Sequence, residues 1–86
     1  MTHKFQTVKK DSSGTDVFIL QSMLRGLGYL GADGKALDVD GICGVNTVHA
    51  INTFQTISRA YGVECGTNGM NDSSFGTKCW RRLLGE

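Results

Sequence analysis

The chain of 86 residues has no proline, so its turns must be made by twelve glycines and by Asx residues. It has no apolar run near the roughly 18 residues that a membrane span needs, and the opening MTHKF has no signal-peptide apolar region. An excess of charge of one sign is missing as well. Nine Lys and Arg against eight Asp and Glu leave a net charge of +1. That balance exerts no long-range pull on nucleic acid or anionic lipid, so neither is an expected partner. Cysteine is sparse and unpaired in pattern: Cys43, Cys65 and Cys79 stand far apart in the chain, with no CxxC and only two histidines. A zinc site needs closer ligand spacing than this, so no metal and no cofactor is expected. Cys43 and Cys79 fall in apolar patterns, so buried thiols are the default reading, with one disulfide plus a free thiol left open by the sequence.

What is present suits one small domain, residues 1–86, able to bury roughly 60–65% of its unfolded surface. Residues 1–13 form a polar N-terminal arm with Phe5 and Val8 as its anchors, and residues 14–84 form a helical core. In the first helix Thr15 or Asp16 can cap the free N–H groups, and Val17, Leu20, Leu24 and Leu27 make one apolar face. Gly28 stops it. After the loop YLGADGKALDVDG a second helix runs from about Gly44 to Tyr61, with Thr47, Ala50, Ile51, Phe54, Ile57 and Ser58 on one side. Gly62 ends it, a polar loop follows, and a short third helix carries Cys79, Trp80, Leu83 and Leu84. Sliding the chain along itself until Asp40 meets Asp72 also brings Gly44 onto Gly76, Thr47 onto Cys79, Val48 onto Trp80 and Ile51 onto Leu83. One design is used twice: acid, turn, glycine, helix, apolar stripe. The fold class is therefore all-α, a small three-helix bundle with long Gly/Asp-rich loops, in which Leu20, Leu24, Ile51, Phe54 and Leu83 are buried together.

The stretch DGICGVNTVHAINTFQ is where chemistry would have to reside, and each chemical reading fails on spacing. Laid on a calcium loop, ALDVDGICGVNT lacks both the leading Asp and the closing bidentate Glu. Asp40 is better placed to bond the N–H groups of its own turn. Cys43 shortly precedes His49, but the helix carries His49 away, and nothing is placed to orient the imidazole. Gly26-Leu27-Gly28-Tyr29-Leu30-Gly31 matches GxGxxG but closes a helix, whereas the dinucleotide fingerprint follows a strand. The loops are too long for a helix-turn-helix and no face gathers basic residues. No catalytic residue is assigned.

Three segments, GTDVFILQSMLRGLGYL, DGICGVNTVHAINTFQ and FGTKCWRRLL, resemble in order the signature segments of the peptidoglycan-binding domain family. Val17, Leu20, Gln21, Leu24, Leu27, Gly28 and Tyr29 match the first, and Asp40, Gly41, Gly44, Thr47, Ala50, Ile51, Phe54 and Gln55 the second. Phe75, Gly76, Trp80 and Leu83 match the third. Departures are Val45 in place of the common proline, Cys79 for Thr, and Asp72-Ser73 for Asp-Gly in a longer loop. The resemblance implies that Gly41 and Gly44 supply backbone freedom, that Thr47 begins the helix, and that Ile51 and Phe54 fill the core. It also implies a non-catalytic module that binds peptidoglycan, stem peptide or glycan, and targets an attached amidase, peptidase or lysin to the wall. Such a module is a monomer fused to a catalytic domain, located outside the cell, in the wall, or released as a phage lysin. The rival reading is a degenerate protein-interaction or structural module of the same fold.

Candidate ligand contacts are exposed polar or aromatic groups near the loops. Tyr29 can stand at a loop mouth with its hydroxyl wet. Asp40 and Asn46 flank the start of the second helix, whose N–H groups attract a stem-peptide carboxylate. Arg25, one turn before Tyr29, can pair with the same carboxylate.

Overall fold

A computed structural model describes residues 4–85, so the outermost residues of the single-domain reading, 1–3 and 86, lie outside the described residues. Three helices follow in order: α1 (Thr15–Gly26), α2 (Val45–Ala60) and α3 (Thr77–Leu83). Among the described residues there is no strand, only four isolated antiparallel bridges. The all-α, three-helix reading is what the structure has.

α1 and α2 end in the same way. The Gly28 N–H bonds the Arg25 carbonyl (3.1 Å) and the Tyr29 N–H the Leu24 carbonyl (3.0 Å). At the second stop the Gly62 N–H bonds Arg59 (2.9 Å) and the Val63 N–H bonds Ser58 (2.9 Å). Both are Schellman endings, in which the left-handed glycine turns the chain and two orphan carbonyls are satisfied. Leu27, expected on the buried face of α1, lies past the last helical residue and is 62% exposed. The turn at Gly28 swings it out of the bundle.

The helix starts use no side-chain cap. Gly14, Gly44 and Gly76 are the N-caps, and none of the three helices has a side-chain capping bond. Asp16, expected as a cap, instead accepts the Gln6 N–H at 2.8 Å and so holds the arm. Its charge still lies in the first turn, where the helix dipole favours it. Thr47 lies two residues inside α2, which opens at Val45. Gly44, expected to need backbone freedom, has φ −96°, which any residue adopts. Gly41 does need it, with φ 79°. Its counterpart in the second unit is Ser73, held at φ 62°. Asn52 and the Ser73 hydroxyl bond each other there at 3.2 and 3.3 Å, which offsets the strain of a left-handed L-residue.

Two buried glutamines join the helices to the turns that follow them. Gln21, 1% exposed on α1, donates from Nε2 to Asp40 Oδ1 (3.1 Å), Ile42 O (2.9 Å) and Thr47 Oγ1 (3.0 Å). Its Oε1 accepts the N–H groups of Asp40 (3.1 Å) and Gly41 (2.8 Å). Gln55, fully buried on α2, repeats the pattern one unit later. Its Nε2 meets Asp72 Oδ1 and Ser74 O (both 2.8 Å) and Cys79 Sγ (3.7 Å), and its Oε1 accepts the Asp72 N–H (3.1 Å). The internal echo of the sequence is therefore a structural repeat, with Thr47 and Cys79 in equivalent places. The arm closes on both turns. Asp11 N–H bonds Cys43 O and Cys43 N–H bonds Ser12 O, each at 2.8 Å, while Val8 and Phe75 exchange bonds of 3.1 and 2.7 Å.

The core gathers Val17, Leu20 and Leu24 of α1, Ala50, Ile51 and Phe54 of α2, and Cys79 and Trp80 of α3, with Val8, Leu37, Cys43, Cys65 and Phe75 from the connections. Phe75 touches both Phe54 and Trp80, with ring centroids 5.1 and 5.0 Å away, and Phe5 of the arm stacks on Trp80 at 4.1 Å. Leu83, expected among the buried five, is only partly buried and packs against the cluster from outside, because α3 ends at that residue. Ile57, expected on the buried face of α2, is 39% exposed and lines a groove toward Tyr29. Replacing Phe54 by Ala should cost about 3–5 kcal/mol, while Ile57→Ala should cost less than half as much. Urea unfolding followed by circular dichroism measures both, and equal losses would contradict this assignment of core and rim.

Candidate functional site

The four residues singled out from the sequence divide among different places. Tyr29 follows the α1 stop and leans its half-buried ring on Phe54, centroids 5.7 Å apart. It forms part of an open groove of about 430 Å³ with Leu27, Leu30, His49, Thr53 and Ile57. Burial raises the Tyr29 pKa above its ordinary value, with nearby Arg82 pulling the other way, so the hydroxyl stays protonated at neutral pH. It can then both donate and accept. Leu27, Leu30 and Ile57 supply exposed apolar walls, and His49 and Thr53 add polar edges.

Asp40 and Asn46 line a smaller recess of about 200 Å³ beside the start of α2, together with Asp38, Val45 and Thr47. Asp40 Oδ1 already accepts the Ile42 N–H at 3.0 Å and the Gln21 amide, closing the Asx-turn. Asn46 packs over Gly31, where an added Cβ would lie 2.7 Å from the Asn46 Cβ, and its Nδ2 reaches Asp33 Oδ2 at 3.5 Å. Arg25 lines neither cavity. Its Nη1 donates to the Leu37 carbonyl at 2.9 Å and holds the loop that follows α1. Arg25 and Tyr29 are thus close in sequence but engaged with different partners.

Sequence reasoning misses two features of this surface. Periodicity places Leu27 and Ile57 on core faces, yet both are groove walls. A cleft of about 340 Å³ beside α3, lined by Val63, Glu64, Lys78, Arg81, Arg82 and Gly85, has no counterpart among the expected sites. Its signal is the spacing of Lys78, Arg81 and Arg82 at i, i+3 and i+4, which share one side of a helix.

Nucleophilic chemistry has no support here. Cys43, Cys65 and Cys79 are free and buried. Burial pushes the Cys43 thiol up to about 11, and burial with a hydrogen bond shared with Cys65 pushes Cys79 up to about 12. Such thiols are protonated at neutral pH and poor nucleophiles. Among the described residues, no group of three or more His, Cys, Asp or Glu is placed to hold a metal ion. Among the described residues, no helix is long and apolar enough to cross a membrane.

A family model described as a peptidoglycan binding domain matches residues 13–64, more than half of the chain. The matched stretch contains α1, its glutamine clasp, α2 and all four residues discussed above, and it stops before α3. Neither the curated proteins nor the solved structures give a match to this chain.

The two turn aspartates make the site region sensitive to acid. The Ile42 N–H, followed by the Gln21 amide, holds the Asp40 carboxyl below its ordinary 3.8. At Asp72 burial pushes the carboxyl up, but bonds from Gln55, Thr67 and Ser74 outweigh it and the net shift is also downward. A carboxyl with a depressed folded-state pKa stabilises the fold fully above the unfolded value, about 4, and loses that contribution as pH falls through the folded value. The melting temperature should therefore be nearly flat from pH 7 to 5 and fall below about pH 4. In the double variant Asp40→Asn/Asp72→Asn that fall should be smaller. Thermal melts at pH 2–7 measure it, and parallel curves for both proteins would refute the assignment.

Proposed function

Because this chain belongs to the peptidoglycan-binding domain family, we propose that it is a non-catalytic wall-binding module that holds an attached hydrolase against its polymeric substrate. The observation that carries the reading is the family match over residues 13–64, which holds the groove of Tyr29 between the segment after α1 and the side of α2. That groove combines exposed apolar walls with a phenol and a threonine hydroxyl. Such a mixture suits a sugar face or a short peptide stem, which present both apolar and hydrogen-bonding edges. Asp40 and Asn46 offer a second contact at the α2 start, and Arg25 a third beyond it. The ligand is peptidoglycan, and no cofactor takes part.

The physical use of such a module is concentration. Peptidoglycan repeats the same epitope along an insoluble polymer. Even weak, millimolar binding keeps a tethered catalytic domain near its substrate, because the second encounter becomes intramolecular. The module works as a monomer, at the cell wall or outside the cell, and the amidase, peptidase or lysin it serves supplies the chemistry. The groove is open, so that a ligand can leave as readily as it enters.

The test is co-sedimentation of the 86-residue chain with purified sacculi. The chain should pellet with them and release no soluble fragments on prolonged incubation. Leu30→Asp, which places a charge on an exposed groove wall, should weaken pelleting about five- to tenfold. A chain that stays in solution would instead be a protein-interaction module on the same fold. Released fragments would mean that the domain is itself a hydrolase.

A further inference from the structure

The cleft beside α3 is built mostly by residues past the matched region, with Val63 and Glu64 at the end of that region as its other wall, and it is strongly cationic. α3 carries Lys78, Arg81 and Arg82 and no acid among its seven residues, in a chain whose overall net charge is only +1. The three cations share one cleft at helical spacing, an arrangement that repels itself. Arg81 and Arg82 gain something from the negative end of the helix dipole, but Lys78, in the first turn, does not. Among the described residues, the one carboxylate lining the cleft is engaged elsewhere. Glu64 accepts Nε and Nη2 of Arg59 at 2.8 and 3.3 Å, and that bond holds its carboxyl below the ordinary range. Among the described residues no carboxylate pairs with Lys78, Arg81 or Arg82.

Arg82 is also held in place. Its Nε donates to Ser58 Oγ at 2.7 Å, and its guanidinium lies 5.4 Å from the centre of the Tyr61 ring. Those contacts use one edge and one face. The two Nη groups have no hydrogen-bond partner among the described residues, so a planar pair of donors is left over. Tyr61 is 75% exposed, so this aromatic platform faces solvent rather than the core.

We infer that the cleft between α3 and residues 63–64 is an anion subsite that takes a peptide carboxylate of peptidoglycan, with Arg82 as the oriented fork and Lys78 and Arg81 as flanking charges. Guanidinium binds carboxylate through two parallel N–H···O bonds, which a neutral amide cannot reproduce. A cleft of about 340 Å³ accommodates the end of a short peptide rather than a run of sugars. The subsite rests on the wall-binding reading and shares no lining residue with the groove of Tyr29, so it would be a second contact to the same ligand.

The test uses the full chain and a soluble disaccharide tetrapeptide, with its peptide carboxylates either free or all converted to amides. Titration of the ¹⁵N-labelled protein should move the resonances of Lys78, Arg81, Arg82 and Gly85 with the acid, and leave them with the amide. Lys78→Gln/Arg81→Gln changes only exposed side chains. It should melt like the parent yet pellet about tenfold more weakly with sacculi stripped of teichoic acid. Arg81→Lys should retain most of the binding. Equal shifts with acid and amide, or equal pelleting of parent and double variant, would overturn the subsite while leaving wall binding intact. Loss of parental binding on stripping teichoic acid, or competition by glycerol 3-phosphate alone, would replace the peptide carboxylate by a phosphate. If the parent itself fails to pellet with any sacculi, the wall-binding reading falls and the subsite with it.

Discussion

A turn between two helices exposes N–H and C=O groups that need partners, and this chain supplies them from a single helix side chain. Gln21 meets five polar groups of its turn and its neighbour helix, and Gln55 meets four of the same kind plus the Cys65 carbonyl at 3.3 Å. Only a primary amide can do this. The nitrogen side donates to a carboxylate and a carbonyl, while the oxygen accepts backbone N–H groups. A glutamate would face Asp40 or Asp72 with a like charge, and a leucine of similar size would orphan every group at once. With no proline to stiffen the loops, these two amides take over that task, and each fixes where the next helix begins.

The dependence runs outward from there. The first clasp places residues 40–43, against which the arm lays Asp11, Ser12 and Gly14. The second places residues 72–75, so that Phe75 can fill the space between Phe54 and Trp80 and pair with Val8. The buried polar groups serve the architecture, and the three thiols belong to the apolar core. In the function proposed above, recognition falls to what these ties hold in position: the groove of Tyr29, the recess at the α2 start, and the cationic cleft of α3. Rigid supports of this kind suit weak, repeated binding, because little loop ordering has to be repaid at each encounter.

Much of this was legible in the sequence. Gly28 and Gly62 marked both helix stops, and the apolar spacing located the core of α1 and α2 nearly residue by residue. The failures have physical reasons. Periodicity alone assigned Leu27 and Ile57 inward, because it cannot see a Schellman turn ending the helix or a neighbour that stops short. Capping rules pointed to Thr15 and Asp16, but all three helices start from a glycine N-cap without a side-chain cap bond, and Asp16 is spent on the arm. Gln21 and Gln55 stood in the matching motif, yet a glutamine on a helix reads as a solvent residue until its partners are known. At the site, Tyr29 at a loop mouth was readable from its place after Gly28. The separation of Arg25 from Tyr29 was not, because the bond from Arg25 to Leu37 depends on how an irregular loop folds back.

Native-state hydrogen exchange of the Asp40, Gly41 and Asp72 amides reaches the glutamine clasps directly. These N–H groups lie in loops and belong to residues that are exposed or only partly buried, so chain geometry alone would let them exchange quickly. Bonded to the Oε1 atoms of Gln21 and Gln55, they should exchange as slowly as the interior amides of α2, opening only with the whole domain. Exchange of these three at the rate of a free peptide, with α2 still protected, would show that the turns hold themselves and that the glutamines do not organise the fold.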